Sequence, residues 1–270
     1  METTLLLNDG NTIPRLGLGV FQATGGEEII AVGHALSSGY RHIDTAAMYG
    51  NEEGVGQAIA ENDVPREDIF VTTKVWNERI RQGQTSASVD ESLNKLGLES
   101  VDLMLLHWPV DGRVKAWEEL IAARADGRVR SIGVSNFLPE HLDEVVEATG
   151  VVPAINQIEY HPWLEPHETI EASKRHGVAV QAWSPLMRGR LAEEPVLVEL
   201  AAELGRTEAQ IALRWMLQKD VVVIPKSVTP SRIEANGQLF DFALDADAME
   251  RMDNITKVQR IGPDPANFDF

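Results

Sequence analysis

Short apolar runs alternate with amphipathic stretches almost throughout this chain. Runs such as Val101–Leu106 and 221–224 carry almost no polar side chain. Strands in a parallel sheet, buried on both faces, have this composition, whereas half-exposed antiparallel strands alternate. The pattern predicts strands near 16–18, 41–43, 69–74, 101–106, 130–134, 154–156, 178–182 and 221–224. Helices are expected between them, at about 27–38, 51–62, 84–96, 114–125, 139–147, 167–175, 195–204 and 207–218. In the first, Ile29, Ile30, Val32, Gly33 and Leu36 keep small or apolar residues at helical spacing. In the last, Thr207 stands as an N-cap before Ile211, Ala212 and Trp215. Strands alternating with helices in this way favour an α/β fold that closes on itself, a (β/α)8 TIM barrel, over an open doubly wound sheet. Ahead of it, LLLNDGNTIPRLGL places apolar residues on both sides of an Asp-Gly turn, which predicts a β-hairpin capping one end. No linker, low-complexity tract or internal repeat interrupts the pattern, so residues 1–270 are expected to form a single domain.

Composition narrows the function classes. The 42 acidic residues against 24 basic ones leave a net charge of −18, which argues against nucleic-acid or anionic-membrane binding, since both need positive surface. There is no cysteine, which excludes disulfides, thiolate catalysis and cysteine-held zinc. METTLLLNDG has neither a basic segment nor a long apolar one, so no signal peptide is expected. No apolar run approaches the roughly 18 residues that span a bilayer. A soluble, cytoplasmic protein is the expectation.

The residues just past each strand are more specific. The second strand leads into HIDTAAMYG, with Asp44 and Tyr49, and the third ends VTTK at Lys74. The fourth leads to His107 and Trp108, the fifth to Ser135 and Asn136, and the sixth to Asn156 and Gln157. The seventh ends at Trp183 and Ser184, the eighth at Lys226 and Ser227. In a (β/α) barrel the strand C-termini converge on one face, and active sites sit there.

Each of these residues alone has an ordinary reading: a rim tyrosine, a core histidine, a core tryptophan, surface cations. Together they describe chemistry. An ammonium drawn toward a barrel interior needs a partner, and Asp44 is the natural one for Lys74. A nearby ammonium favours the phenolate, so Lys74 is expected to lower the pKa of Tyr49. Such a tyrosine can give a proton to a carbonyl oxygen as it becomes alkoxide. His107 can donate a hydrogen bond to the same oxygen. The hydride must come from a cofactor, because no side chain supplies one. Gly17 and Gly19 lack the third glycine of a Rossmann fingerprint. Lys226, Ser227 and Arg232 instead cluster after the last strand, where barrels often bind phosphate, and they suit the 2′-phosphate of NADPH. Trp183 offers a face for a nicotinamide ring.

These motifs resemble the aldo-keto reductase family, in its bacterial 2,5-diketo-D-gluconate reductase-like branch. The resemblance runs through GYRHIDTAAMYGNEEGVG, VTTKVWN, LLHWP, IGVSNF, NQIEYHPW, WSPL and IPKSVTPSRI, nearly the whole chain. It implies NADPH-dependent reduction of aldehydes and ketones (keto sugars, diketones, small aldehydes) and a catalytic tetrad of Asp44, Tyr49, Lys74 and His107. It also implies that Ser135, Asn136 and Gln157 hold the nicotinamide carboxamide and that Trp183 stacks on its ring. Ser184 and Leu186 would run beside the pyrophosphate. Lys226, Ser227, Val228 and Arg232 would hold the 2′-phosphate, and Asn236 the adenine. Phe21, Trp76, His107 and Trp108 would line the substrate pocket with a C-terminal loop. No metal is implied, and a monomer is.

Two departures from the family pattern stand out. Ala235 occupies a position where the family usually carries glutamate, with Glu234 beside it, so one adenine contact is expected to be lost. The segment between Pro109 and the next helix is short, which implies an open pocket. Other readings of the same residues are a nucleotide-binding accessory or regulatory barrel without turnover, an aldolase-like barrel with Lys74 as Schiff-base nucleophile, and a metal hydrolase using His161 and His167.

Overall fold

In the computed structural model, which describes residues 2–268, the chain opens with a hairpin. Strand β1 (Thr4–Leu6) pairs antiparallel with β2 (Thr12–Pro14). The chain reverses at Asp9-Gly10, where Gly10 takes φ 89°, a left-handed conformation that costs glycine nothing. Leu7 and Ile13 pack with Phe70, Leu103, Leu105, Ile155 and Val222 inside the barrel. Asn8 donates to the carbonyl of Pro153 at 2.8 Å, and Asn11 to the hydroxyl of Ser131 at 3.0 Å. The hairpin therefore covers the end at which the strands begin and leaves the opposite mouth free.

Strands and helices then alternate: β3 (Leu18–Gly19), α1 (Glu27–Ser37), β4 (His42–Asp44), α2 (Glu52–Ala60), β5 (Phe70–Val75), α3 (Asn77–Arg81), α4 (Thr85–Leu96), β6 (Val101–Leu106) and α5 (Arg113–Ala125). The second half continues with β7 (Val129–Ser135), α6 (Pro139–Thr149), β8 (Ile155–Glu159), α7 (His167–His176), β9 (Ala179–Trp183), α8 (Pro195–Leu204), α9 (Glu208–Gln218), β10 (Val222–Val223), α10 (Pro230–Gly237) and α11 (Ala246–Asp253). Strands β3 to β10 lie side by side in chain order, all parallel. The two edges meet through bridges between Leu16 and Val223 and between Gly19 and Lys226. The N–H of Gly17 donates to Val223 O at 2.9 Å, and that of Gly19 to Pro225 O at 3.2 Å. The sheet is thus closed, as the (β/α)8 expectation requires.

Each expected strand is present; the fourth keeps its expected ends, Val101–Leu106, and the others shift by one or more residues at their ends. The first shifts from 16–18 to Leu18–Gly19, because Leu16 pairs only through an isolated bridge. The sixth runs on to Glu159, past the expected end at 156. Three helices were not expected. Helix α3 has five residues, too few for a period to show. Helices α10 and α11 have eight residues each, about two turns, which is short for a period to show. Helix α11 starts instead from a cap, the Asp245 carboxylate accepting from Ala248 N–H at 2.9 Å. Among the described residues, no helix is long and apolar enough to cross a membrane.

Candidate active site

Asp44 ends β4, and its register partner on β5 is Thr72. Lys74 lies two residues beyond Thr72, on the same face of the sheet, because side chains alternate along a strand. Both side chains point inward, and Lys74 is fully buried. Its Nζ donates to Asp44 Oδ1 at 2.5 Å, to Thr45 O at 2.8 Å and to the Tyr49 hydroxyl at 3.4 Å. An ammonium has three N–H groups, and three oxygens receive them. Asp44 Oδ2 accepts from Gln157 Nε2 at 2.7 Å, and the same amide donates to Gln181 Oε1 at 2.8 Å. Buried charges are tolerated only when paired and hydrogen-bonded in this way. Burial works against the Lys74 ammonium, but Asp44 and Tyr49 outweigh it and hold its pKa above the ordinary lysine range.

Tyr49 sits on the single 3-10 turn after β4. Its ring packs on Phe21 at 5.0 Å between centroids and meets the ring of His107 at 5.8 Å and 72°. His107 follows β6 and also touches Trp76 edge-on at 5.2 Å. Burial, with the Lys74 charge adding, holds its pKa well below 6.5, so the ring is neutral at physiological pH. Its Nδ1 is buried without a hydrogen-bond partner among the described residues, so the ring's other edge, Nε2, is the one that can serve a ligand. Tyr49 corrects a sequence expectation. Burial raises the phenol above its ordinary value of 10.0, and the opposing pull of Lys74 is smaller. The hydroxyl is therefore held protonated rather than tuned toward phenolate.

The residues expected to meet nicotinamide lie beside these four. Ser135 Oγ donates to Gln157 O at 2.8 Å. Asn136, at a left-handed φ of 64°, donates to His107 O and to Ser135 Oγ, each at 3.0 Å. Its Oδ1 accepts from the indole N–H of Trp183 at 2.8 Å, which fixes that half-buried ring. After β9 the backbone is left-handed at Ser184, Met187, Arg188 and Gly189. Ser184 and Leu186 are half-buried there. Lys226 and Arg232 are exposed, Ser227 is buried, Val228 is half-buried, and Asn236 is buried on α10. Among the described residues neither Lys226 nor Arg232 has an ion-pair partner, although the protein is strongly acidic. Glu234 turns away and pairs with His34 on α1 at 3.0 Å.

Phe21 is exposed and Trp76 half-buried at the same mouth. Trp108 is only 6% exposed, because Phe268 stacks on it at 3.7 Å and 12°. The C-terminal segment thus covers one face of the Trp108 ring. His161 and His167 serve other ends. His161 bonds Glu159 at 3.1 Å, and His167 is exposed near Glu165 at 3.9 Å. Glu159, Gln181 and Phe268 were missed by sequence reasoning. A glutamate at the end of the apolar run in NQIEYHPW is the one available signal.

An ammonium with its three N–H groups taken, a protonated phenol and a neutral imidazole at the C-terminal mouth of a closed parallel barrel can polarise and protonate a carbonyl oxygen. That is the layout of a carbonyl-directed oxidoreductase. The chain belongs to the aldo/keto reductase family, whose profile matches residues 15–257. It is 46% identical over 276 residues to the uncharacterized oxidoreductase YtbE of Bacillus subtilis, covering 100% of this chain and 99% of that one. It is 45% identical over 271 residues to the methylglyoxal reductase DkgA of Escherichia coli, covering 98% of each. Among solved structures, a point mutant of Gox0644 in complex with NADPH matches with a TM-score of 0.94 at 39% identity, over 100% of both chains. The Bombyx mori aldo-keto reductase AKR2E4 in complex with NADP matches with a TM-score of 0.90 at 36% identity, over 96% of this chain and 94% of that one.

Proposed function

We propose that this chain, acting as one domain, reduces aldehydes and ketones to alcohols with NADPH, and that Asp44, Tyr49, Lys74 and His107 carry the reaction. The observation that carries the reading is the direction of the hydrogen bond between Lys74 and Tyr49. Lys74 donates and the phenol oxygen accepts, so the phenol O–H is free to point at a substrate oxygen. Nicotinamide, when bound, supplies the hydride. His107 offers an N–H to the carbonyl oxygen and so draws electron density from its carbon. Tyr49 passes its proton to that oxygen as the carbon is reduced, and Lys74 stabilises the phenolate left behind. Asp44 keeps Lys74 charged and aimed. A lysine held as an ammonium in this way is no amine nucleophile, which disfavours Schiff-base chemistry.

The residues suit the cofactor end by end. Lys226 and Arg232, without ion-pair partners among the described residues, match a phosphomonoester. The turn after β9, left-handed at Ser184 and from 187 to 189, follows Trp183 and is the segment expected to run beside the pyrophosphate. Trp183 presents a ring, and Gln157 Oε1, which accepts no hydrogen bond among the described residues, can take a carboxamide N–H. The methylglyoxal reductase relatives make small dicarbonyls the first substrates to try, ahead of keto sugars and simple aldehydes. A carbonyl panel read by NADPH absorbance, with NADH in parallel, tests the proposal. NADPH binding with no oxidation by any carbonyl would point instead to an accessory barrel without turnover.

A further inference from the structure

The proposed reduction makes no use of Glu159, yet its carboxylate is wholly buried at the C-terminal mouth, where four donors converge on it. Oε1 accepts the backbone N–H of Ile261 at 2.6 Å and of Gly262 at 2.9 Å, and faces Nε2 of His161 at 3.1 Å. Oε2 accepts from Arg260 Nη1 at 3.0 Å. Burial by itself would raise this carboxyl. His161 and the two backbone N–H groups more than offset that and hold it below the usual carboxylate range. Beyond α11 the chain has no helix or strand up to residue 268, so contacts such as these determine where it lies.

The anchored residues touch both halves of the site. Glu159 and Trp183 are register partners on the adjacent strands β8 and β9. Gly262 is pressed against the Trp183 ring. A Cβ at that position would lie 2.2 Å from Cη2, 2.7 Å from Cζ3 and 3.4 Å from Glu159 Oε2, so no side chain fits. The indole N–H of the same ring is tied to Asn136. Six residues beyond Gly262, Phe268 stacks on Trp108. Together with the Gln259 N–H, which donates to Trp163 O at 2.8 Å, this carboxylate anchors a segment that contacts both the ring expected to carry nicotinamide and the ring expected to line the carbonyl pocket.

We infer that Glu159 is a positioning residue that couples the two halves of the site. By anchoring residues 260–262 it sets the orientation of Trp183 and seats Phe268 as a wall of the substrate pocket. This rests on the reading of Trp183 as the nicotinamide platform. The coupling acts at the nicotinamide end and leaves the phosphate end alone, so its loss should weaken NADPH and NADH equally, unlike any change at Lys226 or Arg232.

The test compares Glu159→Ala, Glu159→Gln and Gly262→Ala with the wild-type chain. The readouts are methylglyoxal kinetics with each cofactor, tryptophan quenching on cofactor titration, and the rate of limited proteolysis in the C-terminal segment. Glu159→Ala should raise the methylglyoxal KM and the Kd of both cofactors by about tenfold, the scale of losing hydrogen bonds to a charged group. The change in kcat should be smaller, since the proton donor is untouched. Glu159→Gln keeps one acceptor oxygen for Ile261 and Gly262 and should recover part of the loss. Gly262→Ala leaves the carboxylate in place and should reproduce the same pattern, which separates positioning from misfolding. Unchanged KM, Kd and cleavage in Glu159→Ala and Gly262→Ala would overturn the inference, as would a loss confined to NADPH. A wild-type chain that oxidises NADPH with no carbonyl would sink the functional reading instead. Quenching and tail cleavage would then still decide whether Glu159 holds the segment.

Discussion

Lys74 and Asp44 face each other at 2.5 Å, with their side chains 0% and 2% exposed. Neither can change its charge or lose its partner without leaving the other stranded in a medium that solvates ions poorly. Lys74→Met should therefore destabilise the protein by about 3–5 kcal/mol, the cost of breaking a buried pair from one side. The double variant Lys74→Met/Asp44→Asn should regain a large part of that. Urea unfolding of both variants measures the difference, and equal losses would mean that the two groups are not energetically coupled.

Tyr49→Phe removes the proton donor and little else, since the hydroxyl's one protein contact among the described residues is the 3.4 Å bond from Lys74. Carbonyl reduction should fall by about 10²–10⁴-fold with NADPH affinity nearly unchanged. The raised phenol pKa adds a pH signature. The donor works only while protonated, so the wild-type reductive rate should hold through mildly alkaline pH and decline only above the ordinary tyrosine range. Near-normal turnover in Tyr49→Phe would assign the proton to another group.

At the other end of the cofactor, exchanging Lys226 and Arg232 for alanine should weaken NADPH by about tenfold or more per residue, the worth of a charge-assisted hydrogen bond. NADH, which lacks the phosphate, should bind about as before. Cofactor titrations at low and moderate salt separate the two cases. A parallel loss for both cofactors would place the phosphate elsewhere.

His42 predicts acid sensitivity. Burial, aided by the Lys74 charge, lowers its pKa from 6.5 to about 3 in the folded protein, against a smaller opposing contribution from the Pro14 backbone. Between those values the unfolded chain binds more protons than the folded one, so stability is full above about 6.5 and is lost as pH falls. This group alone should contribute a slope approaching about 1.4 kcal/mol per pH unit. His107, also depressed, acts in the same direction. His42→Gln should flatten the slope of unfolding free energy between about pH 6 and pH 4 by about one proton. Identical slopes would remove His42 as the cause.

The strands were legible because parallel strands buried on both faces leave a continuous apolar record. All six residues of β6 are buried, and its run stood out. The candidate site was legible for a related reason: a barrel sends every strand C-terminus to one mouth, so a polar residue just past an apolar run is already placed. Helices α10 and α11 were not, since eight residues make only about two turns, too short a stretch for a period to stand out.

By itself the amino-acid order determined which side chains gather at the mouth, because that depends only on where each strand stops. It could not rank opposing effects on one group. The pKa of Tyr49 depends on how far burial outweighs Lys74, and burial is a property of packing. Nor could it bring Glu159 to Ile261 and Gly262, or Phe268 to Trp108, across more than a hundred residues. Those contacts come from an irregular segment with no periodicity to read. Its path is decided by hydrogen bonds and ring contacts that exist only once the barrel has closed.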